Sequence, residues 1–299
     1  MKRLALGAIL TASVACAHTG EAIQPHDLWS AWSYDPGVLL PLLLSAVLYL
    51  RGATKEHGVS QTQKIYFWAG WFLLCVAVVS PLHALGEALF SAHMAQHELL
   101  MVAAAPLLVV SRPSVALLWG LPFGWRRALG QWSKRKEFQG TWRFSTHPIT
   151  AWCVHAAALW IWHIPSLFQA TLENDWIHSA QHVSFLGSAL LFWWSLFCAH
   201  GRVHYGASVL YLFTTAVHTS ILGALLTFAT TVWYPAYDAS TAAWGFSPLE
   251  DQQVGGLIMW IPAGVVYLIG GLTLFALWLR ESDRVANMRA YGTKGEYAA

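Results

Sequence analysis

Apolar residues fill this chain in long blocks parted by short polar stretches, the pattern of helices that are greasy all round rather than two-faced. A helix needs roughly 17–25 such residues to cross a bilayer. Seven blocks of this kind are expected, at residues 36–50, 65–85, 93–110, 149–164, 177–199, 207–231 and 254–279, with the first and fourth short. A further apolar piece, "SVALLWGLPFGW", is too short and too broken by Pro and Gly to span, and is expected along the interface. The expected fold is all-α: a polytopic membrane helix bundle with seven transmembrane helices after an N-terminal signal-like segment.

The opening "MKRLALGAILTASVACAHTG" has basic Lys2 and Arg3, a short apolar run and a small-x-small end at Ala15, Cys16 and Ala17. Residues 1–17 are therefore read as a signal peptide or an N-terminal anchor, 18–35 as an outer-side segment, 36–281 as the membrane domain and 282–299 as a cytoplasmic tail. Cleavage after Ala17 would leave His18 as a terminus whose amine and imidazole could chelate a metal. Composition agrees with a membrane protein: 56% of the 299 residues are hydrophobic and 11% charged, against roughly a quarter charged in a soluble domain. The cysteines, Cys16, Cys75, Cys153 and Cys198, form no CxxC pair and no disulfide framework.

Charge fixes an orientation. With the N-terminus outside, Arg51, Lys55 and Lys64 fall in the first inner loop, the run from Arg112 to Arg143 in the second, Arg202 in the third, and Arg280, Arg284, Arg289 and Lys294 at the inner C-terminal end. Acidic residues do the reverse: Glu87, Glu173, Asp175, Asp238, Glu250 and Asp251 fall outside. The basic second loop is a topology determinant and lipid-headgroup contact, not a nucleic-acid site.

The same topology sorts the 14 histidines by depth. His57, His147, His200 and His204 lie on the inner side as solvated or interfacial groups. His83, His93, His163 and His178 lie at outer mouths, His97 and His182 one turn deeper, and His155 and His218 near mid-membrane. The pairs His93/His97 and His178/His182 have the i,i+4 spacing that puts both rings on one helical face. Imidazole with thioether suits copper, particularly Cu(I), and Met94, His97 and Met101 at i, i+3 and i+7 run along one stripe. The candidate ligands are His93, Met94, His97, Met101, His163, His178 and His182, with His83, Glu98, His155 and His218 as secondary candidates. Glu98 would accept a proton or orient a histidine. Taken singly, an intramembrane His is most often a helix-to-helix hydrogen bonder and a Met is packing; the case rests on convergence from several helices. Haem is the alternative cofactor, held by His97 with His182 or by His155 with His218. Membrane di-iron oxygenases also pair histidines, but theirs face the cytoplasm. No phosphate-binding loop or nucleophile elbow is present, so no enzyme is expected.

Three blocks, "SAHMAQHELLMVAAAPLLVVSRP", "WHIPSLFQATLENDWIHSAQHVSFLGSALLFWW" and "WYPAYDASTAAWGFSPLEDQQVGGLIMWIPAG", occur in this order, preceded by "HDLWSAWSYDPGVLLPLLLSAVLYLRG". They resemble the signature blocks of the multi-span CtaG family of cytochrome c oxidase assembly factors. The resemblance implies a multi-pass protein of the bacterial plasma (inner) membrane that helps mature an oxidase copper centre on the outer face. It also implies an oxidase subunit with a copper centre as partner beside the lipid bilayer, with homo-oligomerisation left open. It supplies no ligand set. A metal-free scaffold for oxidase assembly is the remaining alternative. Asp251, Gln252 and Gln253 either cap the last span's outer N-terminus or act in function, and Gly255 and Gly256 allow close helix approach.

Overall fold

The computed structural model describes residues 23–55, 58–198 and 205–296, with side chains as far as Asp283. The signal-like segment, His18, His57, His200, Arg202 and His204 lie outside the described residues. Among those described there are helices and no strands. We label them α1 (Pro36–Lys55), α2 (Gln61–Val78), α3 (Pro81–Ala88), α4 (Phe90–Ser111), α5 (Ser114–Gly120), α6 (Phe123–Trp132), α7 (Lys136–Ser145), α8 (Pro148–Trp162), α9 (Pro165–Glu173), α10 (Asp175–Phe197), α11 (Tyr205–Thr227) and α12 (Pro248–Glu296).

Local chemistry sets the helix starts. Ser60 and Gln63 form a reciprocal capping box on α2. Ser80 caps α3, whose first residue is Pro81, and Pro148 and Pro165 open α8 and α9, where their missing N–H costs nothing. The Asn174 side chain accepts the N–H groups of Trp176 and Ile177 to start α10.

Four helices (α1, α4, α11 and the Pro248–Asp283 part of α12) are long and apolar enough to cross a membrane, and two bent pairs pass only when each is counted as one span. Among the described residues, length and composition thus give four to six candidate spans where seven are expected. Residues 65–85 are not one straight helix, because the chain bends by 42° between α2 and α3. The block at 149–164 ends at a 75° bend into α9. α10 is 23 residues long, but His178, Gln181 and His182 crowd its first two turns and dilute its apolar character. α12 runs unbroken through residue 296, past the expected end of the membrane domain. Ser114–Gly120, expected along the interface, packs against the end of α1: a Cβ on Gly52 would lie 1.6 Å from the Ala116 carbonyl oxygen, and one on Gly120 2.0 Å from that of Leu48.

α4 is the central helix. Inside the bundle lies 56% of its apolar stretch, against 17% for α1 and for α12. Its lower half packs with α10 and α12 around Phe185, Phe192, Trp193 and Tyr267. It is not uniformly α-helical: Leu99–Ala104 forms a π turn. α11 and α12 lie backbone to backbone, where a Cβ on Gly256 would meet the Thr227 nitrogen at 2.6 Å, as a small-residue contact between membrane helices requires. The loop joining them folds back over one end of the bundle. Ser240 donates to the Ala88 carbonyl (2.6 Å), Tyr237 to that of Gly86 (3.0 Å) and Tyr234 to that of His163 (2.9 Å), so the end of α3 and the bend after α8 are stitched from this loop.

Candidate metal centre

At that stitched end, five imidazoles from three helices meet. The break before α3 turns His83 inward, α4 supplies His93 and His97 from successive turns, and α10 supplies His178 and His182. Ring centroids lie 4.4 Å apart for His93 and His97, 4.4 Å for His178 and His182, 5.2 Å for His93 and His178, 5.4 Å for His97 and His182, and 5.3 Å for His83 and His178. Two triplets, His83/His178/His182 and His93/His97/His182, each bring their ligand nitrogens within 4.8 Å of one another, with His182 common to both. A metal–imidazole bond is roughly 2 Å long, so small ring rotations would close either group on an ion.

Hydrogen bonds distinguish the two triplets. Gln96 donates its amide to the Ala77 carbonyl (2.7 Å), which fixes which end is nitrogen, and the same NH2 lies 3.0 Å from Nδ1 of His83. His83 Nδ1 is therefore an acceptor and its proton sits on Nε2, so this ring is not ready to ligate. Tyr237 already donates to Gly86, so its oxygen, 3.1 Å away, accepts the proton on Nδ1 of His93. Nε2 of His93 then faces Oε1 of Gln181 at 3.2 Å, an acceptor against its lone pair, so this nitrogen is open to an ion once the Gln181 amide turns aside. An N–H donated to an outer partner is how a ligating histidine is held. Burial, with the Asp251 and Glu87 carboxylates nearby, pushes the Tyr237 phenol well above its usual range, so it stays a neutral hydroxyl. His97 is 1% exposed, and neither ring nitrogen has a hydrogen-bond partner; Nε2 of His178 and of His182 lack one as well. Each such orphaned buried group costs about 1–3 kcal/mol, and one ion shared among them would satisfy several together.

The other expected residues lie outside the two triplets. Met94, next in sequence to His93, packs with Phe90, Phe168, Tyr234, Tyr237 and Met259 against α12. Met101 sits in the π turn within the main core, its carbonyl accepting Trp193 Nε1 at 2.9 Å. The stripe of Met94, His97 and Met101 is thus dispersed: the two thioethers pack in separate apolar clusters, and the π turn carries Met101 out of α-helical register. His163 donates Nδ1–H to the Leu159 carbonyl (2.6 Å) at the bend after α8 and touches Phe168 and Phe185, outside both triplets. His155 bonds Ser188 (3.1 Å), and His218 stands edge-on to Trp152 at 5.3 Å. Glu98 has a buried Oε2 without a partner, and belongs to neither triplet.

Two glutamines were not anticipated, although a signal existed: the pattern H-x-A-Q-H occurs twice, at residues 93–97 and 178–182. Each glutamine reaches a histidine of another helix, Gln96 to His83 and Gln181 to His93. Asp251, in the first turn of α12, was expected either to cap the start of that helix or to act in function. That start is closed instead by Ser247 and Glu250, while Asp251 accepts the N–H groups of Phe90 and Ser91 on α4. Gln252 accepts the Trp233 N–H at 2.7 Å and Gln253 donates to the Ala229 carbonyl at 2.9 Å, both pinning the overlying loop.

The chain is similar to an uncharacterized protein of Mycobacterium leprae, 25% identical over 280 residues covering 89% of this chain and 42% of that protein. Uncharacterized proteins of Mycobacterium bovis and Mycobacterium tuberculosis are each 27% identical over 280 residues, covering 90% of this chain and 42% of theirs. The chain thus spans about two fifths of the length of these curated relatives. No solved structure matches it. Residues 44–281, which hold every helix of the histidine group, match the family described as cytochrome c oxidase caa3 assembly factor. The chain belongs to the cytochrome c oxidase caa3 assembly factor family (Caa3_CtaG).

Proposed function

We propose that this protein binds copper, as Cu(I), at His93, His97 and His182 and passes it to a copper centre of a cytochrome c oxidase subunit during assembly. The observation that carries this is His97: a buried imidazole with both nitrogens unpartnered, among four other imidazoles. Imidazole suits zinc, copper, iron and nickel; copper is chosen among them because the assembly of a cytochrome c oxidase, the role of the family, includes the filling of copper centres. Neutral rings from two helices hold an ion without strong anionic ligands, which keeps it exchangeable. Met94 and Met101 take no ligand role in this scheme, because their side chains pack in apolar clusters.

We further infer seven spans. α10 counts as the seventh because its polar side chains face the imidazole group while Phe185, Ala189 and Phe192 sit in the core. The histidine end carries Glu87, Glu173 and Asp175, and the basic helices α6 and α7 follow the opposite end of α4. The positive-inside rule then puts the metal on the outer face of a bacterial plasma membrane.

A haem between His97 and His182 would require a porphyrin to part rings already packed at 5.4 Å, with Phe185 4.6 Å from His97. Metal and optical analysis of the purified protein tests this directly. Wild type is expected to retain copper without a Soret band, and the His97→Ala/His182→Ala double variant to lose it. Unchanged copper in the double variant would overturn the assignment, and a Soret band would replace it with haem.

A further inference from the structure

The two bends do more than turn His83 inward. They splay α3, α9 and the start of α10 apart, leaving a groove of about 440 Å³ whose lining includes Glu87, Glu173, Asn174, Asp175, Trp176 and His178. Three carboxylates and no Lys or Arg line it. At its inner side stands His178, 7% exposed, with Nε2 lacking any hydrogen-bond partner. His178 is the one member of the imidazole group that lines the groove, and its ring lies within 5.3 Å of His83, His93 and His182.

We propose that this acidic groove is the port through which the copper ion enters, with His178 as the first imidazole to take it. The proposal rests on the copper reading above and adds a route to it. Carboxylate oxygens are hard donors that do not hold a soft ion against imidazole, so they concentrate the cation without trapping it. Beyond them the ion meets the His83/His178/His182 triplet. His83, its Nδ1 occupied by Gln96, binds there weakly, and the ion moves on to His93 and His97 while His182, common to both triplets, keeps hold. Ligand exchange through a shared imidazole needs no bare ion at any stage. A cleft lined by one sign of charge raises association rates by roughly 10–1000-fold, an effect on the rate of loading and not on the final content.

The test is stopped-flow tryptophan fluorescence of the full-length protein in detergent, mixed with Ag+ as a redox-inert stand-in for Cu(I) in chloride-free buffer. The Glu87→Gln/Glu173→Gln/Asp175→Asn variant is expected to load about tenfold more slowly at low ionic strength, to reach the wild-type stoichiometry, and to converge on the wild-type rate as salt is raised. On wild type, hexaamminecobalt(III), a cation that cannot take protein ligands, is expected to slow loading, which tests the groove without any substitution. Wild-type rates in the variant together with no effect of hexaamminecobalt(III) would overturn the port and leave the metal centre standing. Wild-type protein that takes up no Ag+ at all would instead remove the centre, and the port with it.

Discussion

The carboxylate of Asp251, in the first turn of α12, accepts the backbone N–H of Phe90 at 2.6 Å, so the last helix caps the helix that carries His93 and His97. The residue before Phe90, Leu89, provides no side-chain cap of its own. Asp251 also accepts the Ser91 N–H at 3.1 Å and the Ser91 hydroxyl. A residue 161 positions away in sequence thereby fixes the first turn of the central helix and the height at which its histidines sit.

Removing that carboxylate strands two buried N–H groups at the helix start. Asp251→Ala should destabilise the protein by about 1–3 kcal/mol, seen as a lower thermal midpoint in detergent. Asp251→Asn keeps one acceptor oxygen and should fall between the two. An alanine variant that melts with wild type would show that the cap carries no weight.

Tyr237 holds His93 from outside the imidazole group. Tyr237→Phe removes the acceptor for Nδ1–H and lets the ring turn, so copper affinity should drop about 10–100-fold, as is usual when the partner of a ligating histidine is lost. Competition with a Cu(I) chelator measures this. Full occupancy at saturating copper is expected, since no ligand is removed.

The two triplets make opposite predictions for single alanines. His97→Ala should abolish copper retention through a desalting column, whereas His83→Ala should retain copper at the wild-type stoichiometry, its Nδ1 being committed to Gln96. The reverse ranking would place the resting ion in the His83/His178/His182 triplet.

The i,i+4 histidine pairs could be read directly, because helical geometry alone decides that His93 with His97, and His178 with His182, share a face. Which helices those faces would meet could not. His83 enters through the 42° break between α2 and α3, and only the Ser80–Pro81 pair hinted that the apolar block was not one rod. Met101 left its stripe because of a π turn that no local pattern announces. The twinned H-x-A-Q-H pattern was visible, but the work of its glutamines is done across helices. The partnership of Asp251 with Phe90 is purely tertiary. α10 is less apolar than the four long spans for the reason that makes it informative: polar side chains turned inward toward a site dilute its hydrophobic run.

X-ray absorption at the copper edge, on protein loaded with one equivalent of Cu(I), examines the imidazole centre most directly. A first shell of nitrogen scatterers with the outer-ring pattern of about three imidazoles, and no sulfur, is predicted. Sulfur in the first shell would return Met94 or Met101 to the ligand set, and a spectrum without imidazole scattering would contradict the centre altogether.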